Sequence, residues 1–265
     1  MKITPELAEI FGIHVGDGYL RYHGRTKELD ISGSYEEKSY YDNHMIPLFN
    51  KTFNLKIEGK YFPSRKTYGF VVREPEVIEI FKQFGFPSGK KSTIIKVPDC
   101  ILYSNSKKIV SAFLRGYFDT DGCLTFRNRK GKNKYSAFKK KFNYYPRILL
   151  ISVSKDLIED IKKLLVKFDF KYFTCVYQPK NKNWNDVYRL RLLGNRNLIK
   201  WMMHIGTKNP VKLSRYEIWE NYGFCPTNTT FNQRINILAG KINPYGPVMQ
   251  WIAFLLVKRC RNIKC

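Results

Sequence analysis

Two stretches of this chain end in an acid followed by glycine: LAEIFGIHVGDG (7–18) and LRGYFDTDG (114–122). Each begins like a buried helix, so Asp17, Asp119 and Asp121 fall at helix C-terminal ends. Unsatisfied carbonyls already carry negative charge there, and an exposed carboxylate costs about 0.3–1 kcal/mol. In each stretch two small residues lie four apart, Gly12 with Gly16 and Gly116 with Thr120, on one helical face. Glycine inside a helix costs roughly 0.5–1 kcal/mol against alanine, which points to close packing of two backbones. If the two helices pack side by side, Asp17 and Asp121 meet at a common end. Their repulsion calls for a cation, and oxygen ligands select Mg²⁺, Mn²⁺ or Ca²⁺. Gly18 and Gly122 suit the left-handed position that closes a helix. One Asp-Gly after a helix is an ordinary turn; two in matching contexts point to function. An EF-hand starting at Asp119 fails, because Leu124 and Lys130 replace its glycine and glutamate.

The elements around the two motifs repeat. ELDISGSYEEKSYYDNHMIPLF (28–49) parallels RILLISVSKDLIEDIKKLLVKF (147–168), each a strand, a serine turn and a helical pattern. LKIEGKYF (55–62) and TYGFVV (67–72) parallel KYFTCVYQ (171–178) and DVYRLRL (186–192) as strands. EVIEIFKQFGFPSGKKS (76–92) parallels RNLIKWMMHIGTKNPVK (196–212) as a closing helix and loop. Each unit therefore reads helix, two strands, helix, two strands, helix, which predicts an α+β pseudo-dimer on one chain. The first unit spans 1–97, a linker 98–106, the second unit 107–222 and a turn-rich extension 223–265. Pro47 is predicted to kink the first unit's long helix.

Composition bounds the partner. The 265 residues include 47 Lys and Arg against 22 Asp and Glu, a net charge of +25 spread along the whole chain. A folded protein this basic fits a polyanion, nucleic acid first. Six cysteines without C-x-x-C spacing and four scattered histidines give no zinc site. The apolar run PVMQWIAFLLV (247–257) is too short to span a bilayer, and no signal peptide is read at the start. An intracellular (cytoplasmic), reduced protein with no membrane partner is expected.

FGIHVGDG and LRGYFDTDG look like the two copies of the LAGLIDADG motif. Over about 1–222 the chain resembles a single-chain, archaeal-type LAGLIDADG homing endonuclease. The resemblance implies two αββαββα units whose motif helices form the interface and whose antiparallel sheets build a saddle. It implies a monomeric enzyme that hydrolyses both strands of a long double-stranded DNA site, with a staggered cut across the minor groove. Asp17 and Asp121 would bind the divalent metal, Mg²⁺ with Mn²⁺ or Ca²⁺ able to substitute in binding. The carbonyls of Gly16 and Thr120 would add ligands. Related enzymes use a lysine in the loop before the next motif, so Lys96 and Lys208 are the catalytic candidates. Asp119 matches a less constrained acid, since Val15 stands there in the first copy, and is left without a role.

One sheet face should meet DNA. Tyr188, Leu190 and Leu192 alternate with Arg189 and Arg191; Leu124 and Phe126 alternate with Thr125, Arg127 and Arg129; Tyr19, Arg21 and His23 share a face. Arg25 and the loops RKGKNKYSAFKKK (129–141, with Lys139 and Lys140) and QPKNKNWN (178–185, with Lys182) suit backbone contacts. An RNA maturase acting on an intron, or a cleavage-inactive DNA-binding regulator, would share fold and charge. Met1 and the NIKC end do not supply splicing residues, so a free-standing or intron-encoded protein is expected.

Overall fold

The computed structural model describes residues 2–24, 26–128 and 142–245. Helix α1 (Pro5–Asp17) leads into strands β1 (Gly18–Arg21) and β2 (Glu28–Ser34). A 3₁₀ turn (Tyr35–Glu37), one α turn (Lys38–Tyr40) and a π turn (Tyr41–Met45) run without a break into α2 (Ile46–Phe53). Then come β3 (Lys60–Phe62), β4 (Thr67–Val72), α3 (Pro75–Gln83) and the single turn α4 (Asp99–Leu102). The second motif helix, α5 (Lys107–Asp121), opens the repeat, followed by β5 (Cys123–Arg127) and β6 (Tyr145–Ser152). The repeat continues with α6 (Lys155–Val166), β7 (Tyr172–Tyr177), β8 (Val187–Leu193), α7 (Asn195–His204) and α8 (Pro210–Tyr222), with α9 (Phe231–Leu238) beyond it. The fold is α+β, with two antiparallel four-stranded sheets of like order, β1-β2-β4-β3 and β5-β6-β8-β7.

The chain forms two compact units: Met1–Cys123 with Arg147–Pro210, and Leu124–Pro146 with Val211–Cys265. The first unit is organised by α1 lying against α5. Thr4 starts α1, its hydroxyl accepting the Leu7 N–H (3.2 Å), with Pro5 in the first turn where its missing N–H costs nothing. Leu7, Ala8, Ile10, Phe11 and Ile13 of α1 and Val110, Phe113, Leu114 and Tyr117 of α5 are fully buried. An ion pair with a buried carboxylate crosses the helix pair: Arg115 forks both its Nε (3.1 Å) and Nη2 onto the Glu9 carboxylate, which His44 also meets (2.7 Å). Burial pushes the Glu9 carboxyl up, but the hydrogen bonds from His44 and Arg115 outweigh it and hold the group below its ordinary value.

In the second unit, Trp219 of α8 stacks on Phe126 and donates Nε1–H to the Tyr144 carbonyl (2.9 Å). Arg234 of α9 is fully buried and donates to Ser214 Oγ (3.0 Å) and the Val211 carbonyl (3.3 Å). A capping box of Thr230 and Gln233 starts that helix.

Three readings change, and the linker proves to hold a helical turn. Gly18 (φ −80°, ψ 146°) and Gly122 (φ −74°, ψ 156°) are extended rather than left-handed. Each helix passes straight into a strand, and glycine serves close approach instead. A Cβ on Gly18 would stand 2.1 Å from His14 Nδ1, and one on Gly122 2.3 Å from Phe118 Cδ2. Pro47 lies in the first turn of α2, so the irregularity falls before it, as the π turn Tyr41–Met45. In LKIEGKYF only Lys60–Phe62 is strand, because Asn50 ties off Ile57 through both its amide groups. PDCILYSNS contains the turn α4. Among the described residues no helix is long and apolar enough to cross a membrane, and 247–257 lie outside them.

Candidate metal and phosphate site at the paired helix ends

The small residues do what their spacing predicts. A Cβ on Gly12 would sit 2.2 Å from the Phe113 carbonyl oxygen and 2.8 Å from the Tyr117 nitrogen. One on Gly116 would sit 2.2 Å from the Glu9 oxygen and 2.9 Å from the Ile13 nitrogen. Each glycine thus seats the other helix's backbone. One turn further on, Gly16 faces Thr120, whose Oγ1 would be 2.1 Å from a Gly16 Cβ, with the Asp121 carboxyl carbon at 3.3 Å. Thr120 turns its hydroxyl back to the Gly116 and Tyr117 carbonyls (both 3.0 Å). The ends of α1 and α5 therefore lie together, with Gly16 seated against Thr120 and the Asp121 carboxyl.

Asp17 lies over β2. A Cβ on Gly33 would be 2.8 Å from Asp17 Oδ2, and Tyr41 donates its hydroxyl to the same oxygen (2.9 Å). Burial and the neighbouring Asp17 charge push the Tyr41 phenol far above its ordinary value, so it stays a donor. His14 is fully buried beneath Phe81 and Phe86 (ring centroids 5.0 and 4.7 Å). Burial and the Lys91 charge push its imidazole well below the ordinary range, so it is neutral.

Lys91 brings a cation to this site. Its Nζ donates to the carbonyls of Val15 (2.6 Å) and Gly16 (2.8 Å), the last turn of α1. The loop carrying it is anchored on β1: Gly89 N–H donates to the Leu20 carbonyl (2.7 Å) and Tyr22 N–H to Ser88 Oγ (3.1 Å). Burial lowers the Lys91 pKa to about 8 against the opposing pull of Asp121 and Asp17. A cavity of about 260 Å³ lies beside it, lined by Gly16, Lys91, Asp121 and Ser152 among others.

Lys96 is elsewhere: it is exposed and pairs with Asp99 (3.6 Å). Nothing in the sequence separates Lys90, Lys91 and Lys96, which share one loop; only the fold selects among them. Lys208 projects from the loop after α7, exposed, with its backbone N–H bound to Asp119 Oδ2 (2.7 Å). Among the described residues no group of three or more His, Cys, Asp or Glu side chains could hold a metal. Asp17 and Asp121 carry oxygen donors, the kind Mg²⁺ and Mn²⁺ prefer, while the Gly16 carbonyl already accepts from Lys91.

On the sheets, Leu190 and Leu192 are buried while Arg189 and Arg191 face the other way. Arg189 lies over the Tyr177 ring (4.9 Å), and Arg191 reaches Cys175 Sγ (3.0 Å). Arg127 is exposed above Tyr145, and His23 and Lys182 are exposed. Arg21 is tied to Glu28 (2.7 Å). A cation not singled out in the sequence joins them: Arg65 bridges Asp30 (2.9 Å) and stacks on Phe62 (4.3 Å). Arg25, Arg129, Lys139 and Lys140 lie outside the described residues.

Residues 108–206 match the model of the LAGLIDADG-like domain. Over 166 residues the chain is 32% identical to a probable translation initiation factor IF-2 of Methanocaldococcus jannaschii, covering 59% of this chain and 13% of that protein. Over 213 residues it is 28% identical to the replication factor C small subunit of the same organism, covering 80% and 10%. The chain thus spans about a tenth of the length of these curated relatives. Among solved structures it is similar to I-DmoI in complex with DNA and Mn, with TM-score 0.50 and 17% identity, covering 76% of this chain and 96% of that one. That likeness is one of fold.

Proposed function

We propose that this chain, whose residues 108–206 match the LAGLIDADG-like domain, is a LAGLIDADG-family, metal-dependent endonuclease cutting both strands of a long duplex DNA site. The observation that supports this most is the joining of the two acid-bearing helix ends, whose backbones touch at Gly12 and Gly116 and where Gly16, next to Asp17, lies against Thr120 and the Asp121 carboxyl. Two acids held by such packing, in a chain of net charge +25, fit a polyanion whose phosphates arrive with divalent cations. The repeats 1–97 and 107–222, joined by 98–106, would each place one acid at one strand, as a monomer.

Mg²⁺, or the Mn²⁺ that I-DmoI carries beside its DNA, would be held by Asp17, Asp121 and the Gly16 and Thr120 carbonyls. When bound, it polarises the scissile phosphate and lowers the pKa of a coordinated water. The chain's own residues do the rest. Tyr41 fixes the orientation of Asp17. The neutral His14 adds no charge beneath the site. The 260 Å³ cavity leaves space for several waters at about 30 Å³ each beside Asp121 and Lys91. Lys91 offers its ammonium to the phosphate or the leaving oxygen, and Lys208 stands in the matching loop of the second repeat. Arg189, Arg191, Arg65, Arg21 and Arg127 are the groove-facing cations, with guanine as their preferred base edge.

The test is direct. The full chain is incubated with Mg²⁺ and a plasmid carrying the sequence made by rejoining the DNA that flanks its reading frame. A double-strand break at one long site is expected. Intact DNA with binding retained would instead favour the cleavage-inactive regulator.

Lys91 makes a pH prediction. With its pKa at about 8 the free protein carries the ammonium below that pH and loses it above. The kcat/KM for cleavage, which reports free-enzyme groups, should therefore fall as pH rises through about 8. Lys91→Arg keeps its charge, so it should cut without that alkaline limb. A profile unchanged in Lys91→Arg would remove Lys91 from this role.

A further inference from the structure

Asp119 has no place in the site so far, yet it is fully buried. Its surroundings explain why. Thr207 donates its hydroxyl to Oδ1, and the Lys208 N–H donates to Oδ2 (2.7 Å). Asn209 donates Nδ2–H to the Asp119 main-chain oxygen (2.8 Å), and its own N–H meets Thr207 Oγ1 (3.2 Å). Three consecutive loop residues thus grip the α5 turn that carries Asp121.

The contact chain continues. Asn209 Nδ2 also donates to Glu37 Oε1 (2.6 Å), in the helical stretch after β2. Four residues later in that stretch Tyr41 holds Asp17 (2.9 Å). One path therefore runs from Asp119 through Asn209 to Glu37, along the helical stretch to Tyr41 and on to Asp17, from one motif end to the other, around the helix interface rather than through it. The π turn begins at Tyr41, within this path. The first repeat has Val15 where the second has Asp119, so it has no such carboxylate. Its loop is held the opposite way, by the Lys91 ammonium on the carbonyls of Val15 and Gly16.

The geometry points to Asp119 as a positioning residue that sets both motif ends through one network. Loosening either end should loosen the other, because a coupling free energy between two sites is reciprocal. The consequence for cleavage rests on the nuclease reading; the coupling itself does not.

Backbone amide hydrogen exchange on the full chain tests it. Asp119→Val installs the first repeat's residue and removes both acceptors. Exchange should rise roughly fivefold or more at 206–209 and 117–121, and also at 15–18. Asn209→Ala cuts the middle of the path and should do the same. Tyr41→Phe starts from the other end and should raise exchange at 15–18 and at 117–121 together. Exchange that rises only at the altered end, in Asn209→Ala and Tyr41→Phe alike, would overturn the proposal, even if Asp119→Val did not fold. On a duplex that the wild-type chain cuts, Asp119→Val should lower kcat on both strands alike with KM little changed. A chain that cuts no duplex would defeat the nuclease reading and leave the exchange result standing.

Discussion

Asp121→Asn should abolish double-strand cleavage, and Asp17→Asn should do the same, while both variants keep their affinity for duplex DNA. Each replacement is nearly isosteric and removes one negative oxygen from an all-oxygen metal set. The proposed metal set would have two carboxylates and two main-chain carbonyls, so losing one acid would halve its formal charge. Losing such electrostatic stabilisation typically costs at least ~10²–10³ in rate. Affinity should persist because each variant leaves the cations proposed to meet DNA, Arg189, Arg191, Arg65 and Arg127, in place. The asymmetry around the acids adds a finer expectation. Tyr41 donates to Asp17 at 2.9 Å, so the amide of Asp17→Asn can turn its own oxygen to that hydroxyl and keep the side chain in place. Folding should therefore be unchanged, which thermal unfolding would verify. A double-strand break made by either variant would remove these acids from catalysis.

Gly116→Ala should be strongly destabilising, although alanine is the better helix former. In an exposed helix the same change stabilises by roughly 0.4–1 kcal/mol. Here the added methyl meets the Glu9 carbonyl oxygen at 2.2 Å and the Ile13 nitrogen at 2.9 Å, both backbone atoms of α1. No rotamer relieves that contact; the helices must separate. Overpacking of this kind costs typically 1–3 kcal/mol and sometimes more. The shift also strains the Glu9–Arg115 fork and leaves a buried charge less well matched. Gly12→Ala meets the Phe113 oxygen at 2.2 Å and should behave alike. Because both changes pry apart one interface, the double variant should lose less than the sum of the two. Denaturant midpoints of the three variants decide this. A Gly116→Ala protein as stable as wild type would mean the helices are not in backbone contact.

The repeat of elements and the pairing of the motif helices were legible without coordinates, because each is a periodic signal; the strand order was not legible. Apolar residues at helical spacing mark α1 and α5, and alternation marks β8, where Leu190 and Leu192 are buried between the arginines. Glycines four apart say that something approaches closely, and the Glu9 and Phe113 backbones do. The same reasoning failed at Gly18 and Gly122. A glycine after a helix is ambiguous between a left-handed turn and a missing Cβ, and the clash with His14 or Phe118 exists only once the side chains are placed.

What the sequence by itself determined is therefore the inventory: two helix-terminal acids in matched contexts, small residues to join their helices, and a charge suited to polyanions. Which lysine stands beside the acids, and what Asp119 does, were decided by tertiary structure alone. Lys90, Lys91 and Lys96 are equivalent in type and local setting, and Lys91 is selected by the anchoring of Gly89 and Ser88 on β1. Asp119 meets Thr207 and Lys208, some 90 residues away along the chain. Such partners leave no periodicity behind, since hydrogen bonds between distant segments depend on where the chain returns and not on its local spacing.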